Sequence, residues 1–364
     1  MPTDKNRLLL SVIRGLGLLA AAVLLVAKCP YTRVMEALCV HDIVYGDNYR
    51  DVKLRPFQIR LPEPVGEPLR ASLPGATAGN DLFVTGDSYL PENRGHEPFV
   101  RQLSEKLGNP AYFASLPAGG PACLFQKETP GTHAGRKRVV VLERAERFLP
   151  ELAHPAACAP IVEPYTGVRL LVQKSFNQIF MDSEERLRYL LLNSVVTAPL
   201  VSAWNTELYL RFGILPELTP AVSVDPPYLF PRVEVDPELS TSFYYPHDDA
   251  LIAAVADDLA RTADRLRSDY GAELVFMPVP NKYTLYHRFA RPDDRYDDFL
   301  PRLYKELARR NVRYVDLYAP FMASSESVYL PTDSHWNGHG VSLALDAILP
   351  VIRAANAAPK SSPR

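Results

Sequence analysis

The sequence predicts an α/β fold with a mainly parallel central sheet, and three observations carry that expectation. Arg138–Leu142 (RVVVL) and Glu273–Met277 (ELVFM) are continuous apolar runs, the pattern of strands covered on both faces. Asp249–Tyr270 sets Leu251, Ile252, Val255, Leu259, Ala263 and Leu266 along one face of a long helix. Strand-like and helix-like segments then alternate along the chain, as in folds with helices laid on a parallel sheet.

The remaining elements follow in order. Asp81–Thr85 reads as a strand ending in Gly86-Asp87-Ser88, and Gly95–Leu107 as a helix. Ala111–Ala114 reads as a second strand, running toward Gly119-Gly120. Phe299–Arg309 is a helix, Val312–Leu317 a strand, and Val341–Ile352 an apolar closing helix. Pro164–Pro246 interrupts the rhythm and reads as an insertion packed beside the sheet, with a helix-like Ser183–Asn193. Arg55–Pro74 carries five prolines and little apolar periodicity, so residues 29–78 read as an extended lead-in to a domain over residues 79–352. Residues 353–364 read as a flexible tail.

Composition narrows the class of function. Forty Lys and Arg against 42 Asp and Glu in 364 residues give a net charge of -2, which excludes the basic footprint of nucleic-acid binding. Lys5 and Arg7 precede the apolar stretch Leu8–Ala27, interrupted only by Arg14. About 20 such residues cross the hydrocarbon of a bilayer. The first reading is an uncleaved signal-anchor within residues 1–28; a cleaved signal peptide and a buried helix are the alternatives. Either of the first two sends the rest of the chain across the membrane. There, Cys29 with Cys39 and Cys123 with Cys158 is the simplest of three disulfide pairings, and four buried thiols are the alternative.

Two clusters carry chemistry. Ser88 follows a strand directly, and ligands of open α/β sheets sit beyond the carboxyl ends of strands. The plain alternative is a capped strand-to-helix turn. Far downstream, Asp333 and His335 lie two residues apart in Tyr329-Leu330-Pro331-Thr332-Asp333-Ser334-His335-Trp336-Asn337-Gly338-His339. That spacing lets a carboxylate hold one imidazole nitrogen while the other faces a hydroxyl, which is base-and-orienter geometry. Asp333 or Asn337 could instead cap the last helix, and Trp336 could be core. His335 and His339 lack the Glu of H-E-x-x-H, so no metal is expected, and nothing in the sequence calls for a cofactor.

Together the two clusters resemble the SGNH/GDSL hydrolase superfamily. The Asp-x-His-Trp spacing, with Val279-Pro280-Asn281-Lys282-Tyr283-Thr284-Leu285-Tyr286, is similar to the branch of alginate-type polysaccharide O-acetyltransferases. The resemblance covers roughly residues 82–351 and implies a three-layer sandwich and an acetyl-serine intermediate. Ser88 is then the nucleophile, His335 the base and Asp333 its orienter. It further implies an oxyanion hole from the N–H of Ser88 with Gly119 or Gly120. Lys282, Tyr286, Trp336 and Asn337 are expected near the substrate. Two departures stand out. Gly86-Asp87-Ser88 precedes the Asp-x-His block, whereas in the alginate enzymes it follows, and no G-x-N-D follows Arg138–Leu142. Arg144 or Arg147 stands in that place as a substitute oxyanion donor, with a surface helix start as the alternative.

The expected activity is O-acetyl transfer onto a cell-surface or secreted polysaccharide. The catalytic domain would be periplasmic or extracellular on a single-pass inner-membrane anchor, with a membrane-bound O-acyltransferase partner delivering the acetyl group. An acetyl-esterase acting on the same glycans, and a catalytically silent carbohydrate-binding or assembly subunit of a secretion complex, are the competing readings.

Overall fold

The computed structural model describes residues 42–72, 81–130, 137–154 and 183–357, with short pieces at 12–15, 17–18, 39, 157–158, 167–169 and 172. The chain divides into two compact units. One comprises Met1–Ile43, Tyr49–Gln58 and Val162–Leu215; the other comprises Val44–Asn48, Ile59–Ile161 and Pro216–Arg364.

The larger unit is built on a parallel sheet of five strands: β1 (Leu82–Gly86), β2 (Ala111–Ser115), β3 (Arg138–Ala145), β6 (Ala272–Val279) and β7 (Arg313–Tyr314), ordered β2-β1-β3-β6-β7. Successive side chains point to opposite faces of a strand, and here both faces are buried. Leu82, Val84, Val139, Val141, Val275 and Met277 pack into one core, and Phe83, Val140, Leu142, Leu274 and Phe276 into the other. Helices Phe99–Leu107 and Gly338–Ala357 cover the first face, Asp249–Tyr270 and Phe299–Arg309 the second. The result is a three-layer α/β sandwich, as expected.

Several boundaries differ from the sequence reading for local reasons. The first helix starts at Phe99 and not Gly95, because Pro98 bars helical geometry at Glu97. Strand β3 continues through Glu143-Arg144-Ala145, paired with Met277-Pro278-Val279 of β6. The last strand keeps only Arg313–Tyr314, since Asp316 accepts a hydrogen bond from the Ala319 N–H (3.0 Å) and turns the chain into a short helix, Tyr318–Ala323. An antiparallel hairpin of β4 (Ala221–Val224) and β5 (Pro227–Phe230) belongs to this unit. Its Tyr228 stacks on Tyr286, ring centroids 4.6 Å apart.

The smaller unit holds helices Ser183–Asn193 and Ala198–Phe212. Within it, Lys53 Nζ donates to Asn193 Oδ1 (2.8 Å), Asn205 Nδ2 to the Val52 carbonyl (2.8 Å), and the Phe57 and Tyr209 rings meet at 6.1 Å.

Cys123 and Cys158 form a disulfide, while Cys39 keeps a free, buried thiol. The expected Cys29–Cys39 bridge is therefore not made at Cys39, and Cys29 lies outside the described residues. Most of Leu8–Ala27 also lies outside them. Among the described residues, the helix long and apolar enough to cross a membrane is Gly338–Ala357. Its Val341, Ala344, Leu345, Ile348 and Ile352 are buried in the first core, so its apolar character is accounted for by packing on the sheet.

Candidate acyl-transfer site

Ser88 stands just past β1, beside the end of β3, where the strand order reverses direction. The turn that presents it is bolted to β3. The Asp87 N–H donates to Glu143 Oε2 (2.6 Å), and the Asp87 carboxylate accepts from the Ala145 N–H (3.0 Å) and from Arg144 (2.7 Å). Gly86 is dictated by crowding: a Cβ there would stand 2.6 Å from the Glu143 carbonyl oxygen and press on its carboxylate. Burial, reinforced by the charge of Asp87, pushes the Glu143 carboxyl well above the usual range. Ser88 itself is exposed.

The Asp-x-His segment is a tight loop. Tyr329 bridges Trp336, the Leu330 N–H donates to the His335 carbonyl (3.0 Å), and the Asn337 N–H to that of Val328 (2.9 Å). At its tip Asp333 Oδ1 accepts from the His335 backbone N–H (3.1 Å) and sits 2.6 Å from His335 Nδ1. On the other side of the ring, His335 Nε2 is 2.8 Å from Ser88 Oγ. With Asp333 holding the proton on Nδ1, Nε2 is left to accept the serine proton.

Burial acts on both partners and is overruled on both. It would lower His335, but the hydrogen bond and charge of Asp333, backed by Asp47 and Glu92, hold the imidazole above its usual value. It would raise Asp333, but the bond and charge of His335, then Arg94 and the Asp47 N–H, hold that carboxyl well below the carboxylate range.

The other predicted residues are distributed differently. The Gly120 N–H donates to the Pro117 carbonyl (2.9 Å), so it is not available to an oxyanion. Gly119 packs beneath the Cys123–Cys158 bridge, where a Cβ would come within 2.6 Å of Cys123 Sγ. Arg147 is buried: its guanidinium pairs with Glu234 (3.0 Å) and lies over the Tyr89 ring (5.9 Å), so it is a core ion pair and not an oxyanion donor. Arg144 is committed to Asp87 and Glu151.

The four residues expected near substrate turn out to brace the loop from inside. Lys282, fully buried, donates to the Pro331 (2.6 Å) and Asp333 (3.0 Å) carbonyls, and burial brings its pKa down to about 8. Tyr286 accepts from the Val328 N–H (2.8 Å), and Trp336 is core, packed on Phe99 and Tyr89. Asn337 donates to the Ser327 carbonyl (2.7 Å) and caps the last helix at Gly340 (3.0 Å). His339 is turned to Ser324 Oγ (3.0 Å).

Sequence reasoning missed four residues. Arg94 lies 3.2 Å from Asp333 Oδ2, Glu92 3.7 Å from His335 Nδ1, and Tyr89 donates to the Ser334 carbonyl (2.9 Å). Asp47 accepts from the Ser334 N–H (2.9 Å) and hydroxyl (2.5 Å). Only the proximity of Tyr89, Glu92 and Arg94 to the Gly86-Asp87-Ser88 turn offered a signal. Asp47, Asp333 and His335 place one ligand-type atom each within 4.8 Å of one another. Those groups are already bonded to each other and to Ser334, with the Arg94 guanidinium beside them, an arrangement unsuited to a cation.

Residues 229–364 match the family model described as the SGNH hydrolase-like domain of acetyltransferase AlgX. Over these residues the chain is similar to that SGNH hydrolase-like acetyltransferase domain. The SGNH-like region includes Asp333, His335 and Lys282, while Ser88 lies outside it. A curated protein, the probable alginate O-acetylase AlgJ of Pseudomonas putida (strain KT2440), is 30% identical over 126 residues, which is 33% of this chain and 31% of that protein. The chain thus matches about a third of the relative's length. No solved structure matches.

Proposed function

We propose that the chain is an extracytoplasmic O-acetyltransferase acting on a polysaccharide, working through Ser88, His335 and Asp333. The observation that carries this reading is the continuous hydrogen-bonded line Ser88 Oγ, His335 and Asp333, at 2.8 and 2.6 Å, with His335 and Asp333 inside the region that matches an acetyltransferase-type domain. A serine hydroxyl is a weak nucleophile until a neighbouring base removes its proton. His335 Nε2 takes that proton as Oγ attacks the acetyl carbonyl, and Asp333 steadies the imidazolium. The tetrahedral adduct collapses, its leaving group collecting the proton from Nε2, and acetyl-Ser88 remains. A sugar hydroxyl then gives its proton to Nε2, attacks the acetyl carbon and releases Ser88 Oγ, which recovers the proton. The backbone N–H groups of Ser88 and Gly119 are the donors assigned to the oxyanion.

Location and partners belong to the same reading. The apolar Leu8–Ala27 with its basic flank is assigned as a single-pass anchor. The Cys123–Cys158 disulfide supports an oxidising, periplasmic or extracellular compartment. The acetyl donor is assigned to a membrane-bound O-acyltransferase, as in alginate-type systems.

The test is incubation with an activated acetyl ester, with and without acetylatable oligosaccharide, followed by mass measurement of protein and sugar. Acetyl-Ser88 and acetylated sugar are expected, and both vanish in Ser88→Ala. Free acetate at a rate indifferent to sugar would make it an esterase. Sugar binding with an unreactive Ser88 would make it a binding subunit.

A further inference from the structure

Building on the acyl-transfer reading, we propose that the strap Val44–Asn48 is a positioning element of the site and that Asp47 is its operative residue. The strap belongs to the same compact unit as the Asp-x-His loop, and it grips three consecutive loop residues. The Thr332 hydroxyl donates to the Tyr45 carbonyl (2.5 Å). The Asp47 N–H donates to Asp333 Oδ2 (3.0 Å). The Asp47 carboxylate accepts from both the N–H (2.9 Å) and the hydroxyl (2.5 Å) of Ser334.

The strap is in turn pinned. Leu61 donates its N–H to the Val44 carbonyl (2.9 Å), and Asn48 Nδ2 donates to the Leu229 carbonyl (3.2 Å). Gly46 permits the contact. Its φ is +98°, and a Cβ there would stand 2.6 Å from the Thr332 carbonyl carbon, so any larger residue lifts the strap off the loop.

Two consequences follow for catalysis. Asp333 Oδ2 is occupied by the Asp47 N–H and Arg94, which leaves Oδ1 as the oxygen facing His335 Nδ1. Charge adds to geometry. The charged groups facing His335 are the carboxylates of Asp333, Asp47 and Glu92 and the guanidinium of Arg94. Asp47 therefore favours the imidazolium that forms as Ser88 attacks.

The experiment measures acetyl release from the activated ester as a function of pH, using the full chain and its Asp47→Asn, Ser334→Ala and Ser88→Ala variants. Asp47→Asn keeps the size of the side chain. We expect kcat to fall about 10–100-fold, as when an outer-shell partner of a reacting group is lost, with KM little changed. The midpoint of its pH–rate profile should move to lower pH. Ser334→Ala loses one grip and the hydroxyl that helps keep the buried Asp47 ionised, so kcat should fall with a midpoint shift smaller than that of Asp47→Asn. Wild-type kcat and midpoint in folded Asp47→Asn would overturn the proposal, and so would a matching midpoint shift in Ser334→Ala. If Ser88→Ala keeps full activity, the acyl-transfer reading itself fails, a result distinct from either.

Discussion

Replacing Asp333 with Asn tests the proposed reaction most sharply, because the side chain meets four donors. Oδ1 receives the His335 backbone N–H (3.1 Å) and Nδ1 (2.6 Å); Oδ2 receives the Asp47 N–H (3.0 Å) and the Arg94 guanidinium (3.2 Å). A carboxylate satisfies all four, whereas an amide must present its NH2 to one pair. Facing a guanidinium is the costlier choice, so the amide oxygen turns to Arg94 and Asp47 while the NH2 turns to His335. The NH2 then donates to Nδ1, forcing the imidazole proton onto Nε2, where it points at Ser88 Oγ and can no longer accept. The same wrong-tautomer logic predicts a loss of about 10⁴ in kcat, or about 5 kcal/mol of barrier. The assay is release of acetate from an activated ester at neutral pH, with circular dichroism confirming the fold. A folded Asp333→Asn protein within tenfold of wild type would sink the role given to Asp333.

Three more outcomes are expected. The rate constant kcat/KM should rise with pH through a midpoint above the usual imidazole value of 6.5, since acylation needs neutral His335; because its pKa is raised on folding, the stability His335 contributes is complete below about 6.5 and is lost as pH climbs through the folded value. Lys282→Met should leave two carbonyls without their donor and destabilise by about 2–4 kcal/mol in urea titrations; lost activity at undiminished stability would instead make Lys282 a substrate ligand. Replacing Cys123 and Cys158 together by Ala should cost about 3–4 kcal/mol for opening a loop of separation 35, and unchanged stability would show that the bridge does not restrict the unfolded chain.

What was legible in the sequence was what depends on local pattern. Strands β3 and β6 are buried on both faces and so read as unbroken apolar runs, and the Asp249–Tyr270 helix shows its stripe directly. The meeting of Ser88, Asp333 and His335 was legible because each sits in a short motif whose proposed chemistry needs those residue types. The misplaced residues share another physics, that of partners distant in sequence. Arg147 reads as a free guanidinium until Glu234 arrives beside it. Lys282 reads as a substrate contact until the Pro331 and Asp333 carbonyls close over it. Asp47 sits in a stretch that looked like an extended lead-in, and 287 positions separate it from the Ser334 it holds. Gly120 takes the place of the oxyanion glycine only by its order after the second strand, and a turn bond to Pro117 occupies it.

The distance along the chain between Ser88 and His335, 247 positions, sets a clock on reactivity. At roughly 5–20 residues per second a ribosome needs about 10–50 s to pass from one to the other. Throughout that interval the serine turn is without its proposed base. The segment bearing the base ends in the helix Gly338–Ala357, whose burial on the sheet fixes the loop before it. Nascent and truncated chains thus lack the proposed base, and the proposed acyl-transfer chemistry begins only when the last helix of the sandwich docks.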